Sequence, residues 1–373
     1  MVQRVPQTSI SGNSSFRNLF INGDMRVAQR GATATTVVYD KVHTVDQWKA
    51  NYTQGATSVF SVEQSTDVPT GEGFENSLLY KCTTAESSLN AGQRMMPLCR
   101  VEGQNCQNLD WGTSSAKSLT LSFWVKSNLT GTYQINLWAN DASSFISDTY
   151  AISSANTWEF KTCHFAGNQG SAITDDDGPG VQAEFVLSAG SDYTGGTQVA
   201  NTTTTYPSYS ATTRAASHGV NMASSTSNNW YLTGVQLEAG GTGTNFTDPS
   251  DFEFLPFDVQ SERCRRYFQN VAKTASSYIC NAWYYTDTKM IAIGHFDPEM
   301  RATPSLDAAN VTDGYVFYAG GAGDNLSDLG LGSSSSQVFV VDNDNNVADD
   351  NSVGRAGGLY RGNNVYVYFD AEL

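Results

Sequence analysis

Two runs in which polar and apolar residues alternate at every step constrain this chain most. In Leu119-Thr120-Leu121-Ser122-Phe123-Trp124-Val125, period two puts Leu119, Leu121, Phe123 and Val125 on one face and Thr120, Ser122 and Trp124 on the other. The run 133–138 repeats the arrangement, with Tyr133, Ile135 and Leu137 apolar and Gln134, Asn136 and Trp138 on the polar side. An amphipathic helix cannot use this spacing, whereas a half-buried antiparallel sheet can. Thr130-Gly131 falls between the runs, which predicts a hairpin with the two polar faces side by side.

Further strands are predicted at 57–63, 78–83, 157–165, 183–187 and 230–237, separated by turn-rich gaps. Composition agrees: the chain has 33 glycines in 373 residues, 12% aromatics and only 16% charged residues, against about 25% charged in an ordinary domain. From Phe16 to about Pro249 the expectation is an antiparallel β-sandwich of jelly-roll size. The length exceeds the usual limit of about 250–300 residues for one core, so a second domain is expected. Pro249 and Pro256 mark a linker, and Asp258 can cap a predicted helix over 259–273 with Val259, Cys264, Phe268 and Val271 near one face. Strands return at 278–284, 289–296, 305–308, 314–319, 337–341 and 364–369, with loops at 319–336 and 342–351. The predicted fold class is all-β: an N-terminal antiparallel β-sandwich (jelly-roll) plus a smaller C-terminal β-sandwich joined by one short helix. The predicted divisions are an extended arm at 1–16, the jelly-roll at 17–250, linker and helix at 251–273, and a small β-domain at 274–373.

Charge narrows the partners. Lys and Arg total 21 and Asp and Glu 37, a net charge of −16 with a pI near 4.5, which argues against nucleic acid as a partner. No stretch of 18 apolar residues suggests membrane insertion, and the polar N-terminus lacks the pattern of a secretory signal. Cys82, Cys99, Cys106, Cys163, Cys264 and Cys280 form no C-x-x-C pair and read as buried thiols of a reducing compartment. No repeat of the kind that builds a fibrous shaft occurs.

Saccharides are held by aromatic faces and planar polar groups together. Trp124 and Trp138, with Gln134 and Asn136 beside the latter, offer that inventory. The alternative is that this polar face packs under a loop or against a neighbouring subunit. No cofactor is called for, although Asp175-Asp176-Asp177-Gly178 and Asp342-Asn343-Asp344-Asn345-Asn346 supply oxygens suited to a structural calcium. Ordinary solvated turns are the alternative, since neither loop matches the D-x-D-x-D-G pattern. His43, His164, His218 and His295 lie in no H-E-x-x-H, and no G-x-S-x-G occurs, so no enzyme activity is expected. Arg263, Arg265 and Arg266 form the densest basic cluster and read as a solvated helix face, with contact to an acidic neighbouring protein as the alternative.

A series of ordered landmarks then carries a resemblance. Asn18-Leu19-Phe20-Ile21-Asn22-Gly23-Asp24-Met25-Arg26-Val27-Ala28-Gln29-Arg30-Gly31 resembles the opening of a module found in tail-fibre and other virion structural proteins of tailed bacteriophages. Thr44-Val45-Asp46-Gln47-Trp48 is similar to its Tyr-Thr-x-Asp-Arg-Trp landmark, with His43 and Gln47 in place of the usual Tyr and Arg. The stretch from Arg100-Val101-Glu102-Gly103-Gln104-Asn105 to Ser122-Phe123-Trp124-Val125-Lys126 resembles its middle, and Asn229-Trp230-Tyr231-Leu232-Thr233-Gly234-Val235-Gln236-Leu237-Glu238 its closing strand. Glu262-Arg263-Cys264-Arg265-Arg266-Tyr267-Phe268 is similar to a helix that usually reads E-L-x-x-C-Q-R-Y-Y; Met300-Arg301-Ala302-Thr303-Pro304 and Asp370-Ala371-Glu372-Leu373 match landmarks of the small C-terminal domain.

The resemblance implies a carbohydrate-binding-module-like jelly-roll displayed on a phage particle. The first expectation is a non-enzymatic short tail fibre or receptor-binding protein on the virion exterior, assembled in the host bacterial cytoplasm. It would be a homo-oligomer, expected to be a trimer, docked to tail or capsid proteins through the 1–16 arm and contacting host-surface glycans. The second is a capsid decoration or head-fibre protein. A glycan depolymerase ranks third.

Overall fold

The computed structural model describes residues 16–37, 44–53, 57–272, 274, 276–286, 289–343, 353–362 and 365–373. The predicted arm thus lies outside the described residues except for Phe16. Two compact units emerge. The first contains the described residues up to Arg26, those at 32–37, and Trp48–Leu255; the second contains Val27–Gly31, Thr44–Gln47 and the described residues from Pro256 onward.

The first unit holds β1 (Thr35–Thr36), β2 (Lys49–Tyr52), β3 (Val59–Ser65), β4 (Ser77–Thr84), β5 (Arg94–Glu102), β6 (Lys117–Ser127), β7 (Gly131–Ala139), β8 (Ser144–Ile152), β9 (Glu159–Phe165), β10 (Pro179–Phe185), β11 (Ser188–Ala189) and β12 (Asn229–Thr242). One antiparallel sheet runs β1-β3-β4-β12-β6-β9, the other β11-β5-β10-β7-β8, with β2 also on β5. This is a β-sandwich of the jelly-roll kind. Its interior is aromatic: Phe123 lies 5.0 Å from Tyr150 and 5.3 Å from Phe185, and Trp230 donates its Nε1–H to the Tyr150 hydroxyl at 3.2 Å.

The predicted hairpin does not form. β6 pairs with β12 and β9, while β7 pairs with β10 and β8, so the two alternating runs belong to opposite sheets. Both apolar faces are thereby buried in the interior, with Leu119, Leu121, Phe123, Val125, Ile135 and Leu137 all at 0% exposure. β5 escaped prediction because it lacks alternation and carries Pro97. That proline falls where β10 stops at Leu98 and β11 begins at Met95, so its missing N–H interrupts no pairing on that side.

β12 is longer than its neighbour β4, which pairs with it only over 229–232. The opening segment takes over the vacated edge. Leu19 N donates to Leu237 O (3.0 Å), Val235 N donates to Gly23 O (2.9 Å), and Asn18 Nδ2 donates to Val235 O (2.9 Å). The Asn18 Oδ1 in turn accepts from Phe20 N and Leu237 N, each at 3.0 Å. Two landmarks separated by about two hundred residues in the sequence are thus one laced element.

The second unit opens on a helix at Phe257–Arg265, shorter than predicted. Pro256, not Asp258, stands at its N-cap position. Phe268 leaves the helix because it starts β13 (Phe268–Asn270), which pairs with the chain's last strand at Val367–Asp370. The remaining strands are β14 (Tyr278–Tyr284), β15 (Met290–His295), β16 (Ser305–Ala308), β17 (Tyr315–Ala319), β18 (Ala322–Leu326), β19 (Gly330–Leu331), β20 (Val338–Asn343), β21 (Ala356–Arg361) and β22 (Val367–Asp370). They form a three-stranded sheet, β13-β22-β16, and a seven-stranded sheet, β18-β17-β21-β14-β15-β20-β19. Phe339 and Phe369 join the two, with ring centroids 4.5 Å apart. The predicted loop at 319–336 contains β18 and β19.

Four landmarks meet in this unit around one guanidinium. Arg30 approaches Asp370 Oδ2 at 2.9 Å, Glu372 Oε1 at 3.3 Å and Asp46 Oδ1 at 3.8 Å, and lies 3.4 Å over the Phe268 ring. Gln29 Nε2 donates to Asp46 Oδ2 (2.7 Å) and to Phe268 O (2.7 Å), and Gln47 Nε2 donates to Glu372 Oε2 (3.0 Å). Burial dominates at Asp46 and, against the pull of Arg30 and with the push of Glu372, raises its carboxyl to about 7.

Candidate functional site

A groove crosses the outer face of the first sheet. Because Phe123 and Val125 turn inward, Trp124 and Ser122 turn outward, and the register places Phe160 of β9 directly beside Trp124. The two rings are 5.5 Å apart and tilted by 56°, and Phe160 is 46% exposed. The opposite wall is a cluster of Phe74, Phe252 and Phe254, with centroids 4.9–5.1 Å apart. Ser250, Asp251 and Glu72 supply polar groups, and the cavity has a volume of about 550 Å³. That falls within the range of roughly 300–1,000 Å³ typical of small-ligand sites.

The closing-strand landmark builds this wall. Gly234 sits at φ +61°, where β12 shifts register against β6, and a Cβ there would come within 2.6 Å of the Phe74 ring. Gln236 Nε2 donates to Ser250 O and Asp251 O, each at 3.2 Å, and its Oε1 accepts from Glu253 N at 2.8 Å. Glu238 accepts from Ser250 N at 3.1 Å and from the Ser250 hydroxyl. Thr120 Oγ1 donates to Thr247 O at 2.8 Å. Two outward side chains of one strand therefore lay the segment around 245–254 across the sheet. The sequence divides this segment between the end of the predicted jelly-roll at 250 and the predicted linker from 251; the local signal for its wall-forming role is the alternation Phe252-Glu253-Phe254.

Trp138 and its neighbours lie elsewhere. They belong to the outer face of the second sheet, so the structure does not bring Trp124 and Trp138 onto one platform. Gln134 and Asn136 are both at 0% exposure. Gln134 Nε2 donates to Arg214 O (3.0 Å) and Asn136 Oδ1 (2.8 Å), and its Oε1 accepts from Ser217 N (2.8 Å). Asn136 Nδ2 donates to Arg214 O (2.9 Å) and Glu184 Oε2 (3.2 Å). These two residues hold a loop down and are closed to a ligand. Trp138 is half-buried, donates Nε1–H to Glu184 Oε2 (3.3 Å), and stacks on Tyr209 at 5.6 Å. Beneath it, Arg214 and Glu184 form a bidentate pair, with Nε to Oε2 at 2.8 Å.

The acidic loops gain other partners. The Asp176 Oδ1 accepts from Gly178 N (2.9 Å) and the Asp176 carbonyl from Gln104 N (2.8 Å), a self-bonded turn; Asp175 and Asp177 flank it, exposed. Asp342 pairs with Lys289 at 3.1 Å, and Asp344 lies outside the described residues. Among the described residues no group of three or more His, Cys, Asp or Glu side chains is arranged to hold a metal ion. All six cysteines are buried free thiols. No helix among the described residues is long and apolar enough to cross a membrane.

Two buried titrating groups, His218 in the first unit and Asp46 in the second, contribute opposite responses to acid. Burial pushes His218 down to about 4 from 6.5, so protonation favours the unfolded first unit and stability is lost as pH falls from about 6.5 towards 4. Asp46 has the reverse sign: its raised value means that the second unit's stability is full below about 4 and is lost as pH rises through about 7. Between pH 7.5 and 5, calorimetry should show the first unit's transition moving down and the second's moving up. His218→Leu should flatten the first slope, and Asp46→Asn the second. Parallel shifts in both transitions that neither substitution changes would contradict this assignment.

No family model matches the chain, and no curated protein matches it. Several solved structures are similar. The enzymatically active domain of bacteriophage CBA120 tailspike protein 4 superposes with a TM-score of 0.31 at 14% identity, covering 61% of this chain and 22% of that one. A putative sugar binding protein from Bacteroides thetaiotaomicron gives 0.31 at 10% identity, covering 60% and 99%. A protein described as CBM4 gives 0.28 at 11% identity, covering 58% and 97%. The chain thus spans about a fifth of the tailspike domain. At these TM-scores the likenesses carry no argument about function.

Proposed function

We propose that this chain is a non-enzymatic protein of the phage virion exterior, a short tail fibre or receptor-binding protein, that contacts host-surface glycans through the Trp124–Phe160 groove. The observation that carries the reading is the groove: outward rings on one strand pair, a second aromatic wall, and polar groups of Ser122, Ser250 and Asp251 between them. A pyranose presents an apolar C–H face to such rings and hydroxyls to such oxygens. The virion setting is supported by the order of the landmarks from Asn18 to Leu373. As a homo-trimer it would gain attachment strength by multivalency. The 1–16 arm would dock it to tail or capsid proteins.

Localisation and adsorption together test this. Gold-labelled antibody against the protein should mark the tail region of intact particles, and the purified protein should compete with phage adsorption. Trp124→Ala should weaken that competition about tenfold or more, as loss of a central aromatic anchor does. Label spread over the capsid would favour a decoration protein, and unchanged competition would remove the groove from recognition.

A further inference from the structure

A second aromatic groove lies in the other unit, independent of the Trp124 site. On the seven-stranded sheet, Tyr315, Phe317 and Leu359 face the core at 0% exposure, which turns Tyr318 and Tyr360 to the outer face. Tyr318 is 49% exposed, as is Tyr278 at 48%, and Tyr278 meets Tyr360 at 5.4 Å.

Glycines set the attitude of these rings. A Cβ on Gly358, opposite Tyr318 in β17, would come within 2.8 Å of the Tyr278 ring and 2.9 Å of the Tyr360 ring. A Cβ on Gly323 would come within 3.2 Å of the Tyr318 ring. The Tyr278 and Tyr360 rings therefore approach the bare backbone of Gly358, meeting edge to face at 73°, and the Tyr318 ring approaches that of Gly323. The groove beside Tyr318 and Tyr360 has a volume of about 710 Å³, and Ser276, Thr312 and Asp313 line its wall. The wall is held in place: Gly314 N donates to Val311 O (2.9 Å), Gly362 N donates to Gly314 O (2.8 Å), and Asp313 takes φ +57°.

We infer that this groove is a saccharide subsite that takes a neutral pyranose, its C–H face on Tyr318 and Tyr360 and its hydroxyls on Thr312, Ser276 and Asp313. The large rings all carry hydroxyls, and the wall mixes polar side chains with Val311 and Val316, the combination of apolar patch and hydrogen-bonding groups that suits a small hydroxylated ligand. Arg361 also lines the groove, but its Nη1 is committed to Ala272 O (2.6 Å); Asp313 and the chain's net charge of −16 disfavour an acidic sugar.

Saturation-transfer NMR on the full chain tests it, with methyl β-D-glucopyranoside and cellotetraose as probes. Trp124→Ala protein should still transfer saturation to the ring C–H protons, which separates this subsite from the groove of the first unit. Adding Tyr318→Ala should cut the transfer about fivefold or more. Thr312→Val, nearly isosteric, should weaken it by a smaller factor with the thermal transition unchanged, which guards against misfolding of the tyrosine variant. No transfer to either probe in Trp124→Ala protein, or full transfer after Tyr318→Ala and Thr312→Val, would overturn the assignment.

Discussion

Arg214→Ala should destabilise the first unit by about 3–5 kcal/mol in urea unfolding, the usual cost of leaving a buried charge without its partner. Glu184 is at 0% exposure. Burial alone would raise its carboxyl, and the bidentate Arg214 more than offsets this, holding it below the usual range. Without the guanidinium, the partners left to Glu184 among the described residues are Asn136 at 3.2 Å, Trp138 at 3.3 Å and Asn51 at 3.4 Å. The Arg214 carbonyl anchors the covering loop to Gln134 and Asn136, so the loss should also loosen that loop in hydrogen exchange. The pair Arg214→Met with Glu184→Leu should recover much of the stability, because it removes both charges together. A single Arg214→Ala loss below about 1 kcal/mol would show that Glu184 is solvated or protonated instead.

Gly23→Ala should cost about 2–4 kcal/mol, through a clash with no side chain able to give way. The new Cβ would stand 2.0 Å from Val235 O, a carbonyl fixed by Asn18 Nδ2. Relief requires parting the 18–23 segment from β12, which sacrifices Val235 N to Gly23 O and Leu19 N to Leu237 O. Gly71→Ala is the control: its φ is +86° but nothing lies within 4 Å of a Cβ there. It should cost about 1 kcal/mol from backbone strain alone. Gly23 itself is not in the left-handed region, so a loss no larger than that of Gly71→Ala would contradict the close approach to Val235 O as the constraint at Gly23.

Period-two alternation located β6, β7, β14 and β16 closely, because polar or small residues occupy enough of their outward positions to show the period, whether or not those positions reach solvent. It failed at β5 and β8, where the adjacent apolar pairs Met95-Met96 and Phe145-Ile146 break the alternation, and at β18 and β21, where glycine replaces the side chains that would show it. Alternation also identifies outward residues without saying what lies outside them. Trp124 meets a groove, whereas Gln134 and Asn136 meet the carbonyl of Arg214; a polar face reads the same under solvent and under a loop. The groove's far wall was hidden because Phe252 and Phe254 are positioned by Gln236 and Glu238 through side-chain bonds to a distant backbone, which leave no local pattern. Asn18, Gly23, Arg30, Asp46 and Glu372 stood within recognisable landmarks, but their mutual contacts are properties of the fold.

The most direct measurement is titration of the purified full chain with polysaccharide from the surface of the host, comparing Trp124→Ala and Phe160→Ala with Trp138→Ala. Trp124 and Trp138 are equally large, both half-buried, and on opposite sheets. The expected result is affinity reduced about tenfold or more by Trp124→Ala and Phe160→Ala, and within about twofold of wild type for Trp138→Ala. Loss of affinity confined to Trp138→Ala, or binding indifferent to all three, would contradict the assignment of the groove as the glycan contact.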